Sequence, residues 1–296
     1  MKVFGFIAAR KAEHSVKVMC RALGVSCSGF YAWERRAPSD RALGDAWLTE
    51  KIGQAHERSR ATYGERRVHA ELREVHGVRC SRKRVQRLMA AAGLQGAGRR
   101  PRPRTTIRVQ GVRPALDLVE RDFCPAAPNE LWCSDFTYIE TGEGWLYVAG
   151  VLDCFSRRLV GWSMADHMRT ELVVAALEMA VRRRRPASGL VHHSDQGSQY
   201  TALTFGRHAT EAGIALSMGS KGDCFDNAVI ESFWATLKKE IGLTTGRRFQ
   251  TRAEARAAIF DYIEAFYNPV CRHSTLAYRS PAEHEARHAA GALAPA

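Results

Sequence analysis

Three stretches between residues 131 and 165 narrow the folds open to this chain more than any other feature. Residues 131–139, 145–153 and 158–165 are rich in β-branched and aromatic side chains, with turn residues between them, Thr141 to Gly144 and then Phe155 to Arg157. That composition and punctuation predict three successive strands in a meander. The pattern then alternates. A helix is predicted over 170–184, running into Arg182 to Arg185 and stopped by Pro186, followed by a strand over 189–194 and a helix near 198–212. A strand over 214–218, a glycine-bearing loop over 219–225 and a helix from about 226 to 240 complete the series. A meander followed by alternating helices and strands describes a five-stranded mixed sheet flanked by helices.

That element order is found in ribonuclease-H-like cores, and the pattern alone also fits other α/β layouts. Three acidic residues fall at telling places within it. Asp135 lies inside the first strand, in Leu131-Trp-Cys-Ser-Asp-Phe-Thr-Tyr138. Asp195 ends the fourth, in Val191-His-His-Ser-Asp-Gln-Gly-Ser-Gln-Tyr200, and Glu231 sits on the helix after the loop. An ionised Asp in an apolar strand is costly unless something pairs with it. The carboxyl end of a strand is where α/β sheets place ligands. Clustered carboxylates repel unless cations sit among them, and hard, oxygen-seeking Mg²⁺ or Mn²⁺ suits such a set. Two such ions about 4 Å apart activate an attacking oxygen and stabilise a leaving one, the two-metal route to phosphodiester cleavage. Asp153 also ends a strand and competes for a place. His192 and His193 flank Asp195 on opposite faces, so one of them could neighbour the metals, with packing the commoner fate. Trp132, Trp145, Trp162 and Trp234 are assigned to the core.

Charge separates the chain into two halves of different character. The formal net charge is +13, and residues 1–125 hold 26 Lys/Arg against 12 Asp/Glu, while the remainder holds 18 against 19. A basic excess confined to one region suits a polyanion partner, because each neutralised phosphate releases condensed counterions. Residues 1–40 read as a small helix-turn-helix-like segment, with short helices within 13–36 broken at Gly24 and restarted by Ser26 as a cap. Residues 44–95 form a second helical block, a DNA-binding domain. Its last helix starts at Ser81, turns Val85, Leu88, Met89 and Ala92 inward, and carries Arg82, Lys83, Arg84 and Arg87 for phosphates or a groove. Residues 96–127 are a basic Pro/Gly/Arg linker whose Arg99, Arg100, Arg102 and Arg104 are candidate DNA contacts. A catalytic core is assigned to 128–285 and a tail to 286–296. Eight cysteines lack any C-x2-C pair, and His69, His76 and Cys80 are read as ordinary helix residues and not a zinc site. Neither a secretory leader nor a run of 18 apolar residues is present, so a cytoplasmic protein without a membrane partner is expected.

Thirty-five residues separate Asp195 from Glu231. Here the chain resembles the DDE transposases and retroviral-type integrases with their D, D-x35-E signature, and within them the OrfB protein of the IS-three insertion-sequence family. The likeness spans Gly29-Phe-Tyr-Ala-Trp33, Thr62-Tyr-Gly-Glu-Arg-Arg-Val-His69, Ser81-Arg-Lys-Arg-Val85, Val151-Leu-Asp-Cys-Phe-Ser-Arg-Arg158, His193-Ser-Asp-Gln-Gly-Ser-Gln-Tyr200 and Asp226-Asn-Ala-Val-Ile-Glu-Ser-Phe233. The resemblance implies a ribonuclease-H-like core and a DNA transposase that cleaves element ends and transfers strands. It implies Asp135, Asp195 and Glu231 as the triad for two Mg²⁺ or Mn²⁺ ions, with Lys238 on DNA, two helical turns past Glu231 on the same face. Asn227 belongs to the same motif, as a DNA or Glu231 contact or as a helix cap. Implied partners are double-stranded DNA, further copies of the chain on that DNA, and an upstream OrfA product as fusion or partner. Asp223 stands where Asn is usual, and the tail from Tyr267 to Pro281 departs from the family pattern at Pro269 to Cys271 and at Ala277. The alternatives are a repressor or inactive relic that binds DNA without chemistry, and a non-specific nuclease.

Overall fold

The structure is a computed structural model that describes residues 2–98, 118–119, 122–195, 197–218 and 227–291. Two helical clusters precede the sheet. Helices α1 (Lys2–Arg10), α2 (Val16–Ala22) and α3 (Cys27–Glu34) close around Ile7, Met19, Cys20 and Phe30. Gly24 adopts a φ of 66° after α2, and the Ser26 hydroxyl accepts from Gly29 N at 2.9 Å to start α3, as the sequence predicts. α1 was not expected. Its Ile7 is fully buried against α2 and α3, a tertiary contact that a nine-residue segment does not announce.

The second cluster comprises α4 (Asp40–Arg58), α5 (Glu65–Glu74) and α6 (Arg82–Ala91). Ser81 caps α6 by accepting from Arg84 N, and Val85, Leu88 and Met89 face inward. Ala92 lies beyond the last turn and is exposed, contrary to expectation. His69 is in α5 and its Nε2 bonds the Cys80 carbonyl at 2.9 Å, while His76 and Cys80 lie between α5 and α6 and outside any helix.

The sheet has the order β3-β2-β1-β4-β5, with β1 (Leu131–Thr141), β2 (Gly144–Asp153) and β3 (Leu159–Ala165) antiparallel. β4 (Val191–Ser194) and β5 (Ala215–Met218) run parallel to β1. This is the mixed, helix-flanked sheet of a ribonuclease-H-like core. Alternation along the strands sends Trp132, Ala149, Val151 and Val160 toward α7 (Thr170–Arg184) and α8 (Leu203–Glu211). Leu131, Cys133, Val148 and Leu152 point the other way, onto α9 (Ala228–Glu240) and the segments after it. Gly161 sets the first of these distances: a Cβ there would lie 2.2 Å from the Ala176 carbonyl oxygen in α7. α8 starts five residues later than predicted because Gly197 to Thr201 form a hydrogen-bonded turn. Trp145 corrects another expectation. It is 45% exposed and meets Tyr138 edge-on at 5.0 Å on the outer part of β1 and β2, whereas Trp132 and Trp234 are buried and Trp162 partly so.

After α9 the chain forms α10 (Arg252–Asp261), a π-helical turn over Tyr262–Tyr267, and α11 (Pro281–Ala289). These segments join the second helical cluster to the sheet. One apolar core includes Leu48, Val68 and Leu88 together with Leu131, Phe233 and Phe266. The buried Glu71 and Arg272 side chains pair across this junction, and the Tyr63 hydroxyl donates to Val270 O at 3.1 Å and accepts from Arg272 N at 2.9 Å. The motif from Thr62 to His69 therefore contributes to an internal joint between α5 and the chain after α10.

Candidate active site

β1 and β4 lie side by side and parallel, with Ser134 opposite Ser194. Asp135 and Asp195 each follow that pair by one residue. Their side chains therefore leave neighbouring strands, about 4.8 Å apart, on the same face. That is the face of Leu131 and Cys133, against which α9 packs. α9 buries Ile230, Phe233, Trp234 and Leu237 and leaves Glu231 exposed in its first turn. Gly150 pairs with Asp135 in the ladder, and a Cβ there would meet the Trp234 ring at 3.0 Å. The missing side chain lets α9 settle onto the strands beside Asp135.

The charge of Asp195 acts on both of the other carboxylates, and that of Glu231 on Asp135. Burial pushes Asp135 up to about 8; Asp195 and Glu231 raise it further, and the Phe136 backbone and the Lys238 ammonium offset part of this. Asp195 is raised by burial, against the Gly197 N–H that donates to its Oδ1 at 3.0 Å. Glu231 is raised by burial and then by Asp195. Lys238 holds its Nζ 5.2 Å from the Tyr138 ring centroid while acting on Asp135. Among the described residues no group of three His, Cys, Asp or Glu side chains is gathered at metal-holding distance. The acids couple without closing. The donor chemistry nonetheless fits a hard divalent cation, since three carboxylates at one place on the sheet are all raised above their ordinary values and a cation among them would offset this.

The remaining candidates separate clearly. Asp153 is fully buried and accepts from Asn129 N at 2.7 Å, Ser156 N at 2.9 Å and Ser156 Oγ at 2.9 Å. Its oxygens hold the β2–β3 turn, which leaves it no place in the acidic group. Asn227 precedes α9 but makes no side-chain cap; its Nδ2 donates to Ser134 O at 3.2 Å, tying the start of α9 to β1 one residue before Asp135. His192 is on the opposite face, bonded through Nε2 to Ser134 Oγ at 2.6 Å, packed on Tyr200 and Phe205, and kept neutral by burial, at about 3. His193 shares the acidic face and bonds Ser217 Oγ through Nδ1 at 2.9 Å. Tyr200, at the end of the motif that begins at His193, is a neighbour of the acids that its sequence position does not announce. Burial and then the charges of Asp135 and Asp195 raise its hydroxyl, which meets no hydrogen-bond partner among the described residues.

The basic residues of α6 divide in two. Arg84 Nε and Arg87 Nη2 clasp the Asp45 carboxylate of α4 at 2.8 and 2.7 Å, so these two brace the helical cluster. Arg82 and Lys83 are exposed at the start of the helix. Arg99, Arg100, Arg102 and Arg104 lie outside the described residues, as does Asp223.

Comparison with known families places an integrase core domain over residues 125–224 and again over 212–281, and an HTH-like domain over residues 43–102. The chain is 44% identical over 264 residues to an insertion element IS600 uncharacterized 31 kDa protein of Shigella sonnei, covering 89% of this chain and 96% of that one. It is 37% identical over 287 residues to the transposase InsF for insertion sequence IS3A of Escherichia coli strain K12, covering 96% of this chain and 99% of that one. Among solved structures, the HTLV-2 integrase catalytic core domain in complex with magnesium aligns at 15% identity and a TM-score of 0.40, covering 53% of this chain and 95% of that one.

Proposed function

This chain belongs to the IS3 family of insertion-sequence transposases, and on that footing we propose that Asp135, Asp195 and Glu231 are its catalytic triad. The enzyme is a DDE-type DNA transposase, a polynucleotidyl transferase. One observation supports the triad above the rest: carboxylates from β1, the end of β4 and α9 converge on one place on the sheet, where the charge of Asp195 raises the proton affinity of both Asp135 and Glu231. Three like charges repel, so drawing them to ligating distance requires positive charge between them.

Asp135, Asp195 and Glu231 would hold Mg²⁺ or Mn²⁺, as a pair of ions by the chemistry of the reaction. Bound there, the ions supply Lewis acidity to the scissile phosphate and to the attacking oxygen. The protein's own contribution is positioning. β1 and β4 fix two carboxylates on rigid neighbouring strands, and Trp234 over Gly150 seats the helix that carries the third. Asn227 and Ser134 tie the start of that helix to β1. Lys238, two turns along α9, neutralises a phosphate beside the acids. Attack by water at an element end releases a 3′-hydroxyl, which then attacks a second phosphodiester in line, without a protein–DNA covalent intermediate.

The partner is double-stranded DNA, both element ends and target, engaged by the helical region over 44–95 and by the basic linker. Arg82 and Lys83 are the exposed cations of α6 for this role. Assembly of several copies on DNA, association with an upstream OrfA product and a cytoplasmic, nucleoid location complete the proposal. Among the described residues no helix is long and apolar enough to cross a membrane. The test replaces Asp135, Asp195 or Glu231 singly with its amide and assays cleavage of plasmid-borne element ends with Mg²⁺. All three losses are expected, and cleavage retained by any one variant removes the assignment.

A further inference from the structure

On the side of α9 that Ser232, Thr236 and Lys239 occupy lies a cavity of about 440 Å³, closed by the β2–β3 turn, α5 and the segment after Cys271. That volume falls within the range of about 300–1,000 Å³ common to small-molecule sites. Arg67, Arg157, Lys239 and His273 all line it. Its one acid, Glu240, accepts from Arg67 Nη1 at 2.8 Å and from the Tyr262 hydroxyl at 3.0 Å, so Arg67 already balances its charge. Among the described residues Arg157 and Lys239 make no ion pair, which leaves the cavity with surplus positive charge.

Two further observations point to an occupant. His273 Nε2 is sealed from water and meets no hydrogen-bond partner among the described residues. Burying such an atom unpaired is costly, and as the Nε2–H tautomer it would donate to an oxygen ligand. Arg157 sits at a φ of 61°, a left-handed backbone uncommon for a residue with a Cβ. The turn holds it there: Asp153 O accepts from Arg157 N at 2.8 Å, and Arg157 O accepts from the Tyr267 hydroxyl at 2.8 Å. Glycine or asparagine would occupy that backbone with less strain, so the arginine side chain is what the position retains.

We propose that this cavity is a phosphate site, taking a backbone phosphate of the DNA strand that crosses the catalytic carboxylates, with Arg157, Lys239 and His273 as its donors. The inference rests on the strand-transfer reading and extends it. Ser232 follows Glu231 and Lys239 follows Lys238 on α9, so the cavity faces about 100° around the helix from the acids. A strand laid over α9 can offer one phosphate to the carboxylates and another to this cavity. Surplus cations, hydroxyls and an orphaned imidazole nitrogen suit a phosphate ester better than a carboxylic or apolar ligand.

The test uses the full chain in EDTA, so that cleavage plays no part, and the double variant Arg157→Asn with Lys239→Gln. Binding to a labelled random-sequence duplex is followed by anisotropy across a KCl series. The variant is expected to lose affinity several-fold and to lower the log–log salt slope by about 0.9 for each phosphate contact removed. Thermal unfolding controls for folding, and Asn at the left-handed position is expected to keep or raise the midpoint. A second arm adds inorganic phosphate in place of chloride at constant ionic strength. If phosphate stabilises the parent and not the variant while the DNA slopes agree, the site takes free phosphate and the DNA reading is overturned. Equal slopes with no phosphate effect overturn the site altogether. Because binding is read without metal, failure here is distinct from failure of the triad, which the amide variants decide.

Discussion

Replacing Arg272 with Met tests how the helical cluster of α4 to α6 is fastened to the integrase-like core. Arg272 and Glu71 have side chains 3% exposed each and meet in an ion pair that joins α5 to the chain after α10. Arg272 Nη1 also donates to Tyr278 O at 2.9 Å and lies 3.3 Å from Glu283. Removing the guanidinium leaves the Glu71 carboxylate buried, with Arg58 as its remaining cation at 3.3 Å and that arginine half exposed. Breaking one side of a buried pair costs about 3–5 kcal/mol, and the surviving Arg58 contact favours the lower end. At about 2 °C per kcal/mol for a chain of this size, the midpoint should fall by about 6–8 °C. Urea unfolding followed by circular dichroism measures the loss, with Arg60→Ala as reference. Arg60 pairs with Asp261 across the same junction, but the side chains are 42% and 55% exposed, so that change should cost under about 1 kcal/mol. Pairing Arg272→Met with Glu71→Leu removes both charges and should restore most of the stability. A single variant within about 1 kcal/mol of the parent, or a double variant as damaged as the single, refutes the reasoning.

Other consequences can be checked with the same measurements. Gly161→Ala places a methyl 2.2 Å from the Ala176 carbonyl and 2.7 Å from Ala180 N, both backbone atoms, so it should cost about 3 kcal/mol or more; a neutral result would mean α7 is free to shift. Glu285 is held below its ordinary value, against the effect of burial, by Arg184, Arg158 and Ser156. Its folded form therefore releases the proton more readily than the unfolded chain does. Its stabilisation is complete above the ordinary carboxylate value, about 4.3, and is lost as pH falls through the lower folded value, so Glu285→Gln should flatten the acid limb of a stability–pH curve. Millimolar Mg²⁺ should raise the unfolding midpoint of the parent and leave that of Glu231→Gln nearly unchanged, because a ligand stabilises only the state that binds it. An equal rise in both would detach Glu231 from the metal site.

The sheet was legible because its signals are local. Strand composition, turn residues and the helix stop at Pro186 place β1 to β3 and α7 within a residue or two. The acidic residues were legible for a related reason: an Asp inside an apolar strand and another at a strand end contradict their surroundings, and chain spacing links the second to Glu231. Tertiary structure decided what chemistry each polar group is left free to do. Asp135, Asp153 and Asp195 look alike in sequence, yet Ser156 and Asn129 saturate Asp153, while the other two face each other across a parallel pair. Arg84 and Arg87 read as DNA contacts until Asp45, 39 and 42 residues away, is found between them. Trp145 reads as core until the folded hairpin is seen to leave it 45% exposed against Tyr138. Burial along one element leaves a periodic trace in the chain, but a hydrogen bond or ion pair between remote segments leaves none. The folded backbone alone brings those partners within the few ångströms over which they act.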